Sequence, residues 1–294
     1  MSTMSVSAAK KIPKKKSRFA ETSRLFAKNR LAVIGLIVLI LLALVAIFSN
    51  QIAPYGEDEQ NLRNTLQTPS AEHIMGTDNL GRDVFSRIVY GSRISLVVGF
   101  ISVGIGLAIG GGLGAIAGYF GGRSDNIIMR VFDMMMAIPS MILAIAICAA
   151  LGPGMLNTMI AVGFSTVPNY ARVVRSAVLT VKQQEFIEAA HATGSSNVRI
   201  ILKHILPNCL APIIVQASLG VAGAILSAAS MSFIGLGVQP PTAEWGGMLS
   251  AGRTYVRNQP HLVLFPGIAI MMTIFSLNLV GDGLRDALDP RLKR

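Results

Sequence analysis

Long runs without a single charged residue occupy most of this 294-residue chain and restrict how it can fold. They lie at residues 31–56, 94–122, 134–171, 204–243 and 258–281. A helix needs about 20 apolar residues to cross the hydrocarbon core of a bilayer, and every run is longer than that. Only 14% of the residues are charged, whereas about 25% is usual in a soluble domain. The pattern therefore predicts an all-α integral membrane protein.

The five runs predict six transmembrane helices, because the run at 134–171 is interrupted near its middle. Gly152, Pro153 and Gly154 are typical of a tight turn, so that run is interpreted as two helices. Prolines restrict the run at 204–243 to one helix. The predicted helices are 31–53, 94–119, 127–150, 156–171, 212–235 and 261–281. The fourth helix is short enough to be tilted or packed inside protein.

The lysines and arginines are distributed unequally between the two sides that these helices define. Both termini and the polar segment 185–208 share one side, which carries most of the 26 basic residues. The opposite side has Arg63, Arg82, Arg87, Arg93, Arg253 and Arg257. Because cytoplasmic loops of membrane proteins are enriched in Lys and Arg, both termini and segment 185–208 are predicted to be cytoplasmic.

This topology divides the chain into five parts. A basic cytoplasmic tail (1–30) precedes the first helix (31–53), whose apolar stretch exceeds the about 7–15 residues of a cleaved signal peptide. An extracytoplasmic segment (54–92), a five-helix core (93–281) and a cytoplasmic tail (282–294) follow. The topology explains the net charge of +11, and aromatic residues make up only 6% of the chain. We therefore expect a lipid bilayer as partner and no nucleic acid.

Four glycines recur at every fourth residue of the second predicted helix. They are Gly106, Gly110, Gly114 and Gly118. This spacing places them on one face, where small residues let two helices approach closely in a membrane. The overlapping stretch 112–117 also fits a loose dinucleotide-binding pattern, but no strand precedes it, so helix packing is the better interpretation.

No residue pattern in the chain provides an energy source or a catalytic centre. The sequence lacks the G-x-x-x-x-G-K-[ST] phosphate loop, and its four histidines and two cysteines are scattered. Proton-driven carriers bury ionisable residues in their helices, but here only Asp133 and Asp282 lie near predicted helix ends. We therefore expect a protein that is no enzyme, binds no metal or cofactor, and is driven by a separate partner.

The polar segment 185–208 is predicted to form two short helices. Gly194 should end the first, because glycine readily adopts the left-handed conformation at a helix C-terminus, and Ser195 or Ser196 should cap the second. The second helix should bury an apolar stripe with α-helical spacing. That stripe is Val198, Ile201, Leu202, Ile205 and Leu206. The segment is either a solvated amphipathic loop or a docking surface for a cytoplasmic partner.

Part of this segment follows a known pattern. Its residues are Glu188, Ala189, Ala190, Gly194, Leu206 and Pro207. They resemble the EAA signature of ABC importer permeases, from which His204 departs because the signature has isoleucine there. Three further stretches resemble the second, or "C"-type, membrane subunit of the dipeptide, oligopeptide and nickel permease family. These are Met75–Asp83, Met231–Gly237 and Gly281–Arg291, and the resemblance extends over about residues 24–294.

The resemblance implies a type I ABC importer permease fold and a place in a multi-subunit transporter of a bacterial or archaeal cytoplasmic membrane. The implied partners are a homologous "B"-type permease in a heterodimer, two ABC ATPases that use ATP and Mg, and an extracytoplasmic binding protein. Peptides are the implied substrate. Nickel or another small solute is the alternative, and an ion-coupled secondary transporter is a more distant one.

The resemblance also implies roles for individual residues. Segment 185–208 would be the coupling helix that contacts an ATPase. Its implied coupling residues are Glu185, Glu188, Ala189, Ala190, Gly194, Arg199, His204, Leu206 and Pro207. On the other side of the membrane, Asp78, Arg82 and Asp83 would contact the binding protein or brace the mouth of the pathway. Local salt bridges that order the loop explain those three charges equally well.

Overall fold

A computed structural model of the protein describes residues 18–288, and helices make up most of them. The helices are α1 (Arg18–Lys28), α2 (Arg30–Ile47), α3 (Ser49–Ile52), α4 (Val84–Phe120), α5 (Gly122–Met136), α6 (Ser140–Leu151), α7 (Met155–Lys182), α8 (Glu185–Ala192), α9 (Asn197–Arg199), α10 (Leu210–Phe233), α11 (Trp245–Gly252) and α12 (His261–Leu288). A π-helix (Ile200–Ile205) and a 3-10 helix (Leu206–Asn208) precede α10, and another 3-10 helix (Arg253–Tyr255) follows α11. The helical fold class is as predicted. Most of the predicted basic tail and the end of the Gly281–Arg291 motif lie outside the described residues.

Among the described residues, four helices are long and apolar enough to cross a membrane: α2, α4, α10 and α12. A fifth candidate is the pair of α5 and α6, which is bent by 88°. The prediction of one straight helix over 127–150 is therefore wrong. Pro139 lies between the two helices and explains the bend, because proline cannot donate the backbone hydrogen bond that would continue α5.

The predicted fourth span, 156–171, is only the first part of the 28-residue helix α7. The sequence interpretation ended it before Arg172, because charged residues are rare in transmembrane helices. In the structure Arg172 pairs with Asp133, and Arg175 makes a two-pronged contact with Asp125. Both carboxylates belong to α5, so α7 continues past its first arginine because a neighbouring helix supplies the opposite charges.

Helices α4 and α7 pack along each other at the four glycines of the predicted face. A Cβ at Gly106, Gly110, Gly114 or Gly118 would lie 3.0 Å or less from an atom of α7. At Gly110 and Gly114 the nearest atom is a backbone carbonyl oxygen, which cannot rotate away. Gly112, on the same helix, has open space instead. The absence of side chains on this face therefore sets the distance between α4 and α7.

Helices α2, α10 and α12 complete the bundle around this pair. Gly35 of α2 lies against the carbonyl of Ser276 on α12, and Gly283 of α12 lies against Ala32 of α2. Helix α10 packs against α4, α7 and α12. The apolar core between these helices is continuous and includes Val103, Val162, Val221, Ile225, Met231 and Leu277. The bundle is thus a rigid frame for the connections at its two ends.

The longer connections gather at opposite ends of the bundle. At one end, a polar segment joins α7 to α10. At the other end, residues 53–83 meet the loop 234–260, and we call these two stretches together the loop cap. Arg87 at the start of α4 ties them together, because its Nη1 donates to the carbonyls of Glu57 (2.9 Å) and Pro241 (3.3 Å). The two ends therefore present two separate surfaces to possible partners.

Candidate functional site

The polar segment between α7 and α10 is a short helix, a glycine turn and an irregular helical stretch. Gly194 follows α8 with a φ of +75°, a conformation that glycine adopts without steric cost. Its N–H donates to the carbonyl of His191, and the N–H of Ser195 donates to that of Ala190. Ser196 occupies the N-cap position of α9, but its side chain makes no capping hydrogen bond. The turn lies where it was predicted, whereas the predicted serine cap is absent.

The second half of the segment buries only part of the predicted stripe: Ile205 is buried, and Ile201 and Leu206 are partly buried against the same core. Val198 and Leu202 are 65% and 58% exposed, whereas Ile200 and Ile205 are fully buried. The reason is that residues 200–205 form a π-helix, whose hydrogen bonds align residues five positions apart. A period of 3.6 residues therefore selected Ile205 correctly but was wrong for Val198 and Leu202 and missed Ile200. Val198 and Leu202 point away from the bundle and remain free to contact a partner.

The buried side of the segment is anchored to the ends of α4 and α7. Its inward-facing side chains form one apolar cluster with α4 and α7: Ile187, Ala190, Ile200, Ile205, Tyr119, Val174 and Val178. Tyr119 also donates a hydrogen bond to Asn197 (2.7 Å), and its ring stacks on His191. Lys182 donates to the carbonyl of Tyr119 at 2.6 Å. Because of these contacts, the segment and the two helices should move together.

The outer side of the segment combines apolar and charged side chains, and we call it the docking face. It consists of Glu185, Phe186, Glu188, Val198, Arg199, Leu202 and Lys203, all of them exposed. Large apolar side chains that lie exposed among charges are typical of a surface that binds another protein. The docking face thus has the composition of an interface, with exposed apolar side chains and charges of both signs.

The other predicted coupling residues are distributed over both sides of the segment. Ala189, Gly194 and Pro207 are exposed, and His204 and Leu206 are partly buried. Ala190 is only 8% exposed and packs into the protein's own core. Ala190 therefore lies on the anchored side of the segment, where its methyl group contacts the cluster below.

At the opposite end, two of the three predicted contact charges are buried in the loop cap, and the third, Asp78, is half-buried. Arg82 is 6% and Asp83 2% exposed. Arg82 donates from Nε to Asp78 at 2.7 Å, and from Nη1 to Asp58 at 3.3 Å. Asp83 is the N-cap of α4 and also accepts a hydrogen bond from His73 at 2.9 Å. This geometry favours the ordering of the loop over direct contact with a binding protein.

Removal of the Arg82 charge should loosen the loop cap. In Arg82→Gln the half-buried Asp78 loses its closer ion-pair partner and keeps only Arg87 at 3.8 Å, so the cap is destabilised by up to about 3 kcal/mol. We expect faster amide hydrogen exchange over residues 53–83, measured by mass spectrometry. The matched control is Arg63→Gln, because Arg63 is exposed in the same loop. Exchange rates in Arg82→Gln equal to those in the control would contradict this role.

A buried carboxylate at Glu244 joins the loop cap to α4, and sequence analysis did not single it out. Glu244 is 3% exposed and accepts hydrogen bonds from the N–H groups of Gly246 (2.9 Å) and Gly247 (2.8 Å) and from the hydroxyl of Ser95 (3.4 Å). Burial raises the pKa of Glu244 above its ordinary value, although these hydrogen bonds favour the charged form. An acidic residue before a helix was the only sequence signal for this site.

The raised pKa of Glu244 predicts that the loop cap loses stability as pH increases. The folded protein binds this proton more tightly than the unfolded chain, so stability falls between the ordinary pKa of 4.5 and the raised value. The melting temperature, followed by the fluorescence of the single tryptophan Trp245, should fall as pH rises through this range. In Glu244→Gln the melting temperature should fall less. The exposed Glu72→Gln is the control. Parallel pH profiles for wild type and Glu244→Gln would refute the assignment.

The chemistry of these two ends is that of binding surfaces. Within residues 18–288 no group of three His, Cys, Asp or Glu side chains is placed to hold a metal ion. Both cysteines are buried and unpaired. What the arrangement offers is a docking face at one end of a helical bundle and an ordered loop cap at the other.

Comparison with known protein families decides what kind of bundle this is. The family described as "Binding-protein-dependent transport system inner membrane component" matches residues 110–294. The chain belongs to this family. A second family, "N-terminal TM domain of oligopeptide transport permease C", matches residues 17–69. These matches confirm the resemblance found from the sequence motifs, and the permease match includes the docking face.

Curated relatives of this permease cover nearly its whole length. The "Dipeptide transport system permease protein DppC" of Alkalihalophilus pseudofirmus is 52% identical over 94% of this chain and 91% of its own. The "Di/tripeptide transport system permease protein DppC" of Pseudomonas aeruginosa is 45% identical over 91% and 90%. The "Glutathione transport system permease protein GsiD" of Escherichia coli is 47% identical over 92% and 89%.

The permease fold is also found in a solved structure. A chain of the MetNI methionine ABC transporter, in an inward-facing conformation, superposes with a TM-score of 0.57 over 69% of this chain and 96% of that chain. Their sequences are only 18% identical, so the likeness concerns the fold alone. The bundle therefore shares its fold with a chain of that transporter.

Proposed function

We propose that the chain is a permease subunit of an ATP-driven importer of short peptides. Family membership supports the transport role, and the three relatives named above are described for dipeptides, di- and tripeptides, and glutathione. All of these substrates are short peptides, which favours a peptide over nickel. ATP, with Mg, would be hydrolysed by two partner ATPases, and this chain would perform no catalysis.

The proposed topology has six membrane spans with both termini in the cytoplasm, in the manner of a type I importer. The four straight apolar helices would be joined by the bent pair α5–α6 and by α7. The distribution of lysine and arginine supports this orientation. It puts the docking face in the cytoplasm and the loop cap on the outside of a bacterial or archaeal cytoplasmic membrane.

The exposure of Val198 and Leu202 on an otherwise anchored segment is the observation that carries the coupling proposal. An ATPase would bind the docking face, with the apolar pair in a groove and Glu188 against a basic side chain. Closure of two ATP-bound ATPases would then push the segment. Because the segment is fixed to α4 and α7 through Ile200, Ile205 and Tyr119, the push would rotate these helices as a rigid body.

Two further partners complete the proposed transporter. A homologous "B"-type permease would pair with this chain to enclose the translocation pathway, and an extracytoplasmic binding protein would deliver the peptide to the side of the loop cap. The paired charges of Asp78, Arg82 and Asp83 would act by keeping the cap in shape. The binding protein would then contact the exposed residues that surround them.

Uptake by proteoliposomes that contain the whole transporter tests this function. Labelled dipeptide, tripeptide, glutathione and nickel would be offered with the binding protein outside and ATP inside. We expect uptake of at least one peptide that needs both ATP and binding protein. Nickel uptake alone would overturn the substrate class. Uptake driven by a proton gradient without ATP would overturn the proposed mechanism.

A further inference from the structure

An open groove lies on the surface of the bundle between α6, α10 and α12, and we call it the membrane groove. Its volume is about 730 Å³, and ligand pockets usually measure about 300–1,000 Å³. Ile234 and Leu249 of the loop cap line one part of the groove, and Met141 of α6 and Asn278 of α12 line another. The membrane groove therefore leads from the loop cap into the membrane-spanning part of the bundle.

The inner end of the membrane groove lies at the depth of the lipid chains. At 1.5 Å per residue, Asn278 is about 25 Å along α12 from its start at His261. Met141 lies in the first turn of α6, a helix about 18 Å long. The turn after α6 adjoins the loop cap, because the N–H of Gly154 donates to the carbonyl of Gly237 (3.0 Å). Both positions fall within a hydrocarbon core about 30 Å thick.

The bend between α5 and α6 gives this side of the bundle a broken backbone at membrane depth. Residues 136–142, which include the bend at Pro139, are all exposed. Pro139 is the N-cap of α6 and makes no side-chain capping hydrogen bond, so the first N–H groups of α6 have no partner in the helix. Irregular backbone at this depth is tolerated only where protein buries it or where it lines a water-filled cavity. The bend therefore faces another subunit or water, and not lipid.

A charged pair beside the bend favours water over a dry contact between subunits. Arg172 of α7 donates to Asp133, in the last turn of α5, at 2.5 Å, and their side chains are 49% and 58% exposed. A guanidinium group carries five donors, and within residues 18–288 Arg172 uses one of them. Burial of this pair at a dry interface would leave the other donors unsatisfied, which is unfavourable. The pair and the bend together indicate a water-filled passage.

Methionines supply much of the apolar surface around the bend and the membrane groove. Met134, Met136, Met141 and Met271 are between 38% and 65% exposed. Methionine is flexible and polarizable, and it is frequent at surfaces that bind partners of varied shape. Short peptides vary in their side chains but share one ammonium and one carboxylate end. Adaptable apolar side chains and one charge of each sign therefore match the chemistry of this class of substrate.

We propose that the membrane groove, the bend at Pro139 and the Arg172–Asp133 pair form this chain's wall of the pathway through which the peptide passes. The inference rests on the proposed function and names the residues that the transported peptide would contact. The methionines would contact its side chains. Arg172 would bind its carboxylate and Asp133 its ammonium group as the peptide moves from the groove past the bend.

Thiol labelling in the complete transporter tests the membrane groove. The variants are Met141→Cys and Met271→Cys, and Ile37→Cys, 52% exposed on α2, is the lipid-facing control. Proteoliposomes with binding protein would receive a charged methanethiosulfonate on both sides. We expect the groove cysteines to react at least about tenfold faster than the control, because lipid disfavours the charged thiolate that reacts, and added dipeptide should slow them. The native Cys148 and Cys209 are buried, so wild type should give a low background.

The charged pair is tested in the Met141→Cys background. Arg172→Gln should raise the dipeptide concentration that protects this cysteine by about tenfold, the usual effect of losing one hydrogen bond to a charged group. Arg175→Gln is the matched control, because Arg175 and Asp125 join the same two helices through a less exposed pair. The control should be protected at the wild-type concentration. Equal loss of protection in both variants would mean that Arg172 only holds α5 to α7.

Failure of this inference is distinguishable from failure of the proposed function, because the uptake assay measures peptide transport separately. In a transporter that takes up peptide, groove cysteines as slow as Ile37→Cys would mean that the groove faces lipid. Unreactive groove cysteines that cross-link to the partner permease would mean that this subunit fills the groove. Fast labelling that dipeptide does not slow would mean that the peptide passes elsewhere. Each of these three results would overturn the inference.

Discussion

Gly114→Leu is expected to prevent assembly of the folded permease. A Cβ at this position would press on the backbone of Ala171, including its carbonyl oxygen, and backbone cannot move without separating α4 from α7. Overpacking a core usually costs about 1–3 kcal/mol. A leucine here would press on the backbone of α7 rather than on a movable side chain, so its cost should exceed that range. Size-exclusion chromatography of the purified transporter should show little assembled complex, and Gly110→Leu should behave in the same way.

The chain itself offers a control for this prediction. Gly112 lies on the same helix and has nothing within 4 Å of an added Cβ, so Gly112→Leu tests the added bulk and hydrophobicity without the clash. We expect Gly112→Leu to assemble at close to the wild-type yield. Normal assembly and melting temperature for Gly114→Leu would mean that the glycine face does not set the distance between α4 and α7.

Leu202→Asp is expected to abolish transport while leaving the permease folded. The side chain is 58% exposed, so a charge there is tolerated by the free protein. It would, however, place a carboxylate among the exposed apolar side chains of the docking face, and loss of a key interface residue often costs about 2 kcal/mol or more. Peptide uptake and substrate-stimulated ATP hydrolysis should each fall by at least about tenfold. Glu188→Lys and Gly194→Asp should lower both activities in the same direction.

A surface residue at the other end of the bundle controls for the added charge. Val256 is 50% exposed in the loop cap, and Val256→Asp should leave the stimulation of ATP hydrolysis close to wild type. Melting temperatures should be equal for both variants and wild type. Wild-type uptake by Leu202→Asp, or an equal loss in both variants, would refute the assignment of the docking face.

Hydropathy alone predicted α2 and α10 within a few residues and the start of α12, but α12 continues past the predicted end at residue 281 to Leu288. The predicted spans 212–235 and 261–281 correspond to α10 and α12, and 31–53 corresponds to α2 with the short α3. These helices have unbroken apolar runs, so length and composition determine them. The glycine spacing likewise pointed to the face of α4 that meets α7, because a repeat of four residues stays on one side of a helix.

Charged residues misled the prediction where tertiary contacts satisfy them. Helix α4 begins at Val84, before the predicted start at residue 94, because Arg87 is buried and bonded to carbonyls of the loop cap. Helix α7 continues past Arg172 because Asp133 lies opposite. The groups that pair with Arg87 and Arg172 are distant from them in sequence. A pattern of local hydropathy therefore contains no information about these contacts.

The coupling role of segment 185–208 stays a prediction, and only part of its local structure could be predicted. Composition and the EAA pattern identified segment 185–208, and the family match covers it. The exposure of Val198 and Leu202 could not be predicted from a period of 3.6 residues, because the segment changes from α9 to a π-helix at Ile200. The same applies to Glu244, whose partners lie on two other elements.

Site-specific cross-linking from the docking face tests the central claim most directly. In the complete transporter, a benzophenone maleimide attached to Leu202→Cys would be photoactivated, and the products separated by mass. The native Cys148 and Cys209 are buried, so labelling should be selective, and Asn258→Cys in the loop cap is the exposed control. The account predicts an adduct with the ATPase from position 202 and none from position 258. An absence of ATPase adduct at 202, or equal adducts from both positions, would contradict it.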